Sequence, residues 1–559
     1  MQLSPDPNVA ERQIEAVIFY LTALGYIDSE FDLTEKAFVR KFLRGIVTER
    51  VDARGPLAPE VRFEEIERQH EHYVEVFREI DREVRELFDE AVADGEDPKD
   101  FVIGKLKLRC FEMLSELDED ARAALMEVVD GFIHADGVVH PAEIEFRNEL
   151  AGLLDQEILI EDVELVGDRV EITEPAQLAP TTENHPFFRT TEHHYSRDPA
   201  LIRKQIEADL AVLDKAEAQW DAMRARGEGR LVGKETVDDL EGEAPFLDGH
   251  VHVVPPSDED ADLTVLGDLH GCYSNLKAAV LQSGFMDKVR AYKAAPETTP
   301  FPALVLLGDY IDRGRFSYNG VLRAVLQLFL AAPEHVFVLR GNHEYYIEYE
   351  GRVYGGVRPA EAINSLSSLV PEDVFRRYLR FFERMPNSLL FGRGLFVHAG
   401  IPRDATLAER WKDLSSLNDP DIRFQMLWSD PSRADRIPDD LQAASARFSF
   451  GRLQFRNFMG RIGCSLLVRG HEKVNRGFAD HYPKDDARLL TVFSAGGVAN
   501  EDLPRDSSYR DVRPMALSIL RTEGVTTVTP WPIDYRRYQD PRLNAFRERE
   551  PEVDIVPET

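Results

Sequence analysis

The chain has 559 residues, of which 43% are hydrophobic and 30% charged, and it carries a net charge of −34 at pH 7. This composition supports several buried cores and excludes a globally disordered chain. The negative balance argues against nucleic acid and anionic membrane as general partners, since both are polyanions, and no stretch approaches the ~20 apolar residues of a membrane span.

Residues 9–155 read as helical. Ile14, Val17, Ile18, Leu21 and Leu24 recur at helical spacing, as do Leu125, Val128, Val129 and Phe132. The segments YIDSEFDLTEKAF (26–38) and HADGVVHPAEIEF (134–146) align without a gap, which makes an internal repeat. Asp32 with Glu35, and His140 with Glu143, fit the first and fourth places of a helix start, and Pro141 fits the place between. The segment resembles the TerB-like helical domains. That resemblance implies metal binding by Asp28, Glu35, Asp136 and Glu143. Read from the residues alone, the same acids cap helices.

Residues 156–260 read as a connector with some structure, or an added edge to the next domain. EILIEDVELVGDRVEIT alternates around a Gly-Asp turn and predicts a hairpin, 199–226 predicts a long helix, and GHVHVVPP predicts a strand. His250 and His252, two apart on that strand, are read as satisfied histidines rather than ligands. The last residues, 536–559, read as a tail or surface wrap.

From 261 to 535 short apolar runs alternate with helical segments, an α/β pattern. Five of the runs end in polar motifs: GDLHG (267–271), GDYIDRG (308–314), RGNHE (340–344), VHAG (397–400) and RGHE (469–472). They supply Asp268, His270, Asp309, Asp312, Arg313, Asn342, His343, His398 and His471. Carboxylate and imidazole with one amide oxygen suit Mn, Fe or Zn, and clustered thiolates for a structural zinc are missing. Arginine matches phosphate oxygens bidentately. The set describes metal-assisted hydrolysis of a phosphate ester.

In this order the motifs resemble the calcineurin-like metallophosphoesterases, and more narrowly the PPP-type serine/threonine phosphatases. LWSDP (427–431), RFSFG (447–451) and TVFSAGG (491–497) extend the resemblance over residues 262–530. It implies a β-sandwich flanked by helices, behind an all-α N-terminal bundle. It also implies two divalent ions, Mn first and Fe or Zn as alternatives. Asp268, His270 and Asp309 would hold one ion, and Asp309, Asn342, His398 and His471 the other. Asp312 would orient His343, the general acid. Arg313 would grip phosphate with a second arginine, Arg447, or else Arg452. The expected reaction is hydrolysis of phosphoserine and phosphothreonine in proteins by a metal-activated hydroxide. The alternatives are hydrolysis of small compounds such as dinucleoside polyphosphates, or an adaptor role centred on the helical domain, which would bind a regulatory partner or metal. The usual SAPNY of the family is Ser494-Ala495-Gly496-Gly497-Val498 here, so the aromatic beside the site is expected to be missing.

Cys110, Cys272 and Cys464 are too scattered for a disulfide framework or a thiolate site, which favours a reducing compartment. The first residues lack a basic segment followed by an apolar core. A cytoplasmic location is the expectation.

Overall fold

A computed structural model describes residues 7–27, 31, 33–53, 55–88, 97–115, 117, 119–134, 139–154, 168–179, 184–550 and 552–553. The chain divides into two compact units, one of residues 1–160 with 432–448, the other of 161–431 with 449–559.

The first unit is helical, with helices Pro7–Gly25, Leu33–Asp52, Pro59–Leu87, Pro98–Ser115, Glu119–Ile133 and Pro141–Leu154. The apolar stripe read from the sequence is its core: Ile14, Val17, Ile18, Leu21 and Leu24 are buried with Leu43, Phe77, Leu106, Leu125 and Phe132. The start of Pro141–Leu154 is a reciprocal cap. Glu143 Oε2 accepts from the His140 amide at 3.1 Å, and His140 Nδ1 accepts from the Ala142 amide at 3.3 Å. Asp28, Asp32 and Asp136 lie outside the described residues. The segment 432–448 adds Ala434, Ile437 and Leu441 to this same core.

The second unit is built on two sheets. The six-stranded sheet runs in the order Arg169–Ile172, Val525–Pro532, Met515–Thr522, Ala261–Leu266, Phe301–Leu306, Val336–Val338. The seven-stranded sheet runs Phe478–Asp480, Arg488–Val492, Leu466–Arg469, Gly394–Val397, Ser388–Phe391, Val251–Val254, Phe246–Asp248. Alternation along the strands divides their side chains between two faces. Leu263, Val265, Ala303 and Val305 of one sheet meet Leu389, Phe396, Leu466, Val468 and Leu490 of the other in a shared layer. Leu266, Leu304 and Leu306 face the opposite way and are covered by Trp220, Leu276 and Phe329 on helices. Leu395, Val397, Leu467 and Leu489 are covered by Phe455 and Phe458 of helix Arg452–Ile462. The architecture is therefore a β-sandwich with helices on both outer faces.

Two stretches outside the motif-bearing region join the second unit. The stretch read as a connector is woven into the second unit: Arg169–Ile172 pairs with Val525–Pro532, and Val251–Val254 pairs with Ser388–Phe391. Its long helix, Pro199–Gly227, places Asp209 in a buried ion pair with Arg323 at 2.6 Å. The first arm of the expected hairpin lies outside the described residues. The segment read as a tail buries Tyr538 and Phe546 in the core beside Tyr273 and Phe316. Among the described residues, no helix is long and apolar enough to cross a membrane.

Candidate metal centre

All five polar motifs follow the C-terminal ends of strands. Three leave neighbouring strands of the six-stranded sheet, Ala261–Leu266, Phe301–Leu306 and Val336–Val338. Two leave neighbouring strands of the other sheet, Gly394–Val397 and Leu466–Arg469. The sandwich thus gathers the motifs at one edge. The backbone there is bent hard: His270, Asp309, Asp312, Arg313 and His471 all have φ between 40° and 68°. Five non-glycine residues in the left-handed region mark a site whose geometry the surroundings impose.

The loops hold one another through the carboxylates. The amide of His343 donates to Asp309 Oδ1 at 3.0 Å, and the amide of His471 to Asp268 Oδ1 at 2.8 Å. A Cβ on Gly341 would sit 2.2 Å from Asp309 Oδ1, and one on Gly470 would sit 2.2 Å from Asp268 Oδ1, so these glycines permit the approach. Glu344, which sequence reading left without a role, is fully buried beneath this layer. It accepts from the amides of Asp309 and Tyr310, both at 2.8 Å, and of Gly341 at 3.0 Å. Its presence inside the RGNHE motif was the available signal.

Asp268, His270, Asp309, Asn342, His343, His398 and His471 come together here, with Asp312 and Arg313 beside them. Ligand atoms of His270, Asp309 and His343 lie within 4.8 Å of one another, as do those of Asp268, Asp309 and His398. Asp309 is common to both groups. His270 Nδ1 lies 3.0 Å from the Ile311 carbonyl, and His398 Nδ1 lies 3.0 Å from that of Leu307. Donation to those carbonyls fixes each tautomer and turns both Nε2 lone pairs inward. His270 Nε2 then faces Asp268 Oδ2 at 3.6 Å and Asp309 Oδ2 at 3.5 Å. His398 Nε2 faces Asn342 Oδ1 at 2.8 Å, and His471 Nδ1 faces the same oxygen at 3.1 Å.

These atoms fit divalent cations. Asp268 Oδ2 is buried with no hydrogen-bond partner among the described residues. Burial lowers the His398 pKa to about 4, so its inward nitrogen is a bare lone pair pointed at an amide oxygen. Burial also raises Asp309 well above the ordinary carboxylate range, with Asp268 and Glu344 adding to the shift. Converging lone pairs and crowded carboxylates without a countercharge are what a bound cation relieves.

The rest of the layer handles protons and anions. Asp312 Oδ2 lies 2.7 Å from His343 Nδ1, and Asp312 Oδ1 accepts from the Ala362 amide at 2.8 Å. Burial raises Asp312 to about 6, against the pull of Arg313. Burial and Arg313 hold His343 well below its usual value. Arg313 is itself fixed from one side: Nη1 donates to both oxygens of Glu361, at 3.1 and 3.2 Å, and to the Pro359 carbonyl at 3.0 Å. Nothing in the local sequence around Glu361 signalled that role. Asp430 of the LWSDP segment pairs with the buried Arg469 at 2.7 Å and lies 3.8 Å from His471 Nε2.

The family to which this arrangement belongs is decided by sequence comparison over the same strands. Residues 262–475 match the calcineurin-like phosphoesterase family. This part of the chain is a calcineurin-like phosphoesterase domain. A probable serine/threonine-protein phosphatase of Encephalitozoon cuniculi is 28% identical over 322 residues, covering 56% of this chain and 63% of that protein. The serine/threonine-protein phosphatase 4 catalytic subunit of Saccharomyces cerevisiae is 26% identical over 240 residues, covering 42% of this chain and 70% of that protein. Among solved structures, a serine/threonine phosphatase of Saccharomyces cerevisiae with similarity to human phosphatase PP5 aligns with a TM-score of 0.37 and 17% identity. It covers 58% of this chain and 90% of its own.

The two candidates for the second arginine lie in different surroundings. Arg452 is paired with Asp485 at 3.1 Å. Arg447 falls in segment 432–448, which belongs to the helical unit. A tyrosine from a later loop stands beside the cluster. The ring of Tyr509 lies 5.2 Å from that of His270 and 5.5 Å from that of Phe493. The same packing explains Gly496 and Gly497. A Cβ on Gly496 would fall 2.8 Å from Val512 and 3.0 Å from the Tyr509 carbonyl, and one on Gly497 would fall 2.4 Å from the Tyr535 ring.

Proposed function

We propose that this protein is a metal-dependent phosphoprotein phosphatase acting on phosphoserine and phosphothreonine. The observation that carries the reading is Asp309, whose two carboxylate oxygens lie 3.5 Å from His270 Nε2 and 3.4 Å from His398 Nε2, with the His343–Asp312 pair and Arg313 beside it. Asp268, His270 and Asp309 would hold one divalent ion, and Asp309, Asn342, His398 and His471 a second, with Mn as the first choice. Bound there, the ions supply positive charge that polarises a phosphoryl oxygen and acidifies an attacking water.

The chain's own groups do the rest. Arg313, held by Glu361 and Pro359, presents a fixed guanidinium to the phosphoryl oxygens. His343 stands ready to protonate the leaving serine or threonine oxygen, with its ring set by Asp312. Arg313 is one of the groups that depress the proton affinity of His343. An arriving phosphate dianion offsets that charge, so substrate itself favours the protonated imidazole. The chain as a whole carries −34, so the positive field that captures an anionic substrate is local to this edge.

The test is phosphate release from a phosphothreonine peptide by metal-stripped protein titrated with Mn, beside Asp309→Asn and beside a dinucleoside tetraphosphate substrate. Mn-dependent turnover of the peptide that Asp309→Asn abolishes is expected. Turnover of the dinucleotide alone would make the protein a small-molecule hydrolase. No turnover of either would leave the adaptor role.

A further inference from the structure

We propose that Asp209 is a positioning residue for the His343–Asp312 pair, acting through Arg323 on the turn Ser317–Leu322, which touches the chain on both sides of that pair. The inference rests on the phosphatase reading and adds to it a residue that lies outside the matched segment 262–475.

Ser317–Leu322 is a single π-helical turn, in which the Val321 amide reaches back five residues to the Phe316 carbonyl at 2.7 Å. A Cβ on Gly320 would fall 2.5 Å from that of Phe316, so glycine lets the turn close. Turns of this kind are rare and are frequent at functional sites. Two consecutive side chains of this one reach the pair. Ser317 Oγ accepts from the Asp312 amide at 3.1 Å and donates to the Gly314 carbonyl at 3.3 Å. The Tyr318 hydroxyl shares a hydrogen bond with that of Tyr346, three residues beyond His343. One turn therefore holds the loop that carries the carboxylate and the chain that carries the imidazole.

Arg323 follows the turn directly and fastens it. Its Nη1 donates to the Asn319 carbonyl inside the turn at 2.6 Å, and to the carbonyls of Thr191 at 2.9 Å and His193 at 3.2 Å. Its Nε and Nη2 donate to the two oxygens of Asp209, at 2.6 and 2.9 Å. This fork-to-fork geometry gives the guanidinium a single orientation. Both partners are buried, Asp209 on helix Pro199–Gly227 and Arg323 at the head of helix Arg323–Ala331. A buried ion pair is a poor source of net stability, since packed apolar residues often do as well. What this pair supplies is direction: it fixes the guanidinium, the guanidinium fixes Asn319, and the turn then sets Asp312 and the chain beyond His343. A proton donor aimed at a leaving oxygen is sensitive to such placement.

The experiment uses the full chain loaded with Mn and two variants, Asp209→Asn and the uncharged double variant Asp209→Leu with Arg323→Met, which leaves no unpaired buried charge. Two substrates are compared. A phosphothreonine peptide expels an alkoxide that needs a proton, whereas 4-nitrophenyl phosphate expels a phenolate that does not. Both variants are expected to lose about tenfold in kcat on the peptide and less than about twofold on the nitrophenyl ester, with KM and Mn content unchanged. Thermal unfolding is expected to show the double variant near wild type, so that its loss on the peptide is not one of folding. Equal losses on the two substrates, or a double variant with wild-type kcat on the peptide, overturn the inference and leave the phosphatase reading standing. The double variant decides the matter where Asp209→Asn does not fold. A wild type that binds Mn yet turns over neither substrate overturns the reading beneath it.

Discussion

Asp312 Oδ2 lies 2.7 Å from Nδ1 of His343, while the other Asp312 oxygen is held by the Ala362 amide at 2.8 Å. A carboxylate pinned at one end and bonded to imidazole at the other fixes ring orientation and leaves Nε2 to face the site. His343→Asn removes the proton donor but not the ligands named above. Turnover of the peptide is expected to fall by about 10²–10⁴-fold with Mn content unchanged, as read by metal analysis of the purified variant. Asp312→Asn keeps the imidazole, so a smaller loss is expected; equal losses would show that the two act as one unit.

Arg313 makes its polar contacts with Glu361, Pro359 and Arg358 rather than with any ligand. Arg313→Ala is therefore expected to raise KM for a phosphopeptide by at least tenfold while the protein still takes up Mn. Loss of metal in this variant would contradict its assignment as the phosphate anchor.

Glu344 offers its two oxygens to backbone amides of two different loops. Glutamine keeps one acceptor and turns an NH2 group toward donors. Glu344→Gln is expected to destabilise the second unit by about 2–3 kcal/mol and to weaken metal uptake, because the loop bearing Asp309 loses its support. Thermal unfolding of the stripped protein and metal titration give the two readouts.

His252 is buried in strand Val251–Val254 with its ring 5.3 Å from that of Phe337. Burial lowers its pKa to about 3, and its Nε2 meets no partner among the described residues. Below about pH 6.5 the unfolded chain binds a proton there that the folded chain refuses, so stability falls as pH drops from ~6.5 toward 3. The loss is ~1.4 kcal/mol per pH unit for one such histidine, or ~2 kcal/mol by pH 5. Urea unfolding at pH 7 and pH 5 is expected to show a smaller pH effect in His252→Leu than in wild type. An unchanged pH effect would mean that other groups carry it.

The gathering of the candidate ligands was legible because each lies within a few residues of a strand end, so motif and geometry are nearly the same information. Asp268, His270 and Asp309 could be named without knowing which strands are neighbours. Tyr509 could not: it sits 11 residues past Val498, on a loop whose approach depends on Arg510 and Val512. The sheet pairing of the strands at 169–172 and 251–254 was hidden for a related reason. Their partners, Val525–Val528 and Ser388–Phe391, are far away in sequence, and pairing at that range leaves no local trace. Segment 432–448 was hidden because Ala434, Ile437 and Leu441 are sparse among charged residues, and only the packed core shows that they belong together.

That segment also redefines what it means to remove the helical unit. Cutting the gene at residue 160 would not yield a clean phosphoesterase fragment. Seventeen residues, 432–448, would remain looped out between Pro431 and Ser449 with three apolar side chains deprived of their burial. The helical fragment would in turn lack part of its own interior. A fair dissection deletes 1–160 and bridges Pro431 to Ser449 in one step, since strand pairing already holds Asp430 beside Ser449. Aggregation of a simple truncation would then report an amputated core rather than a regulatory effect.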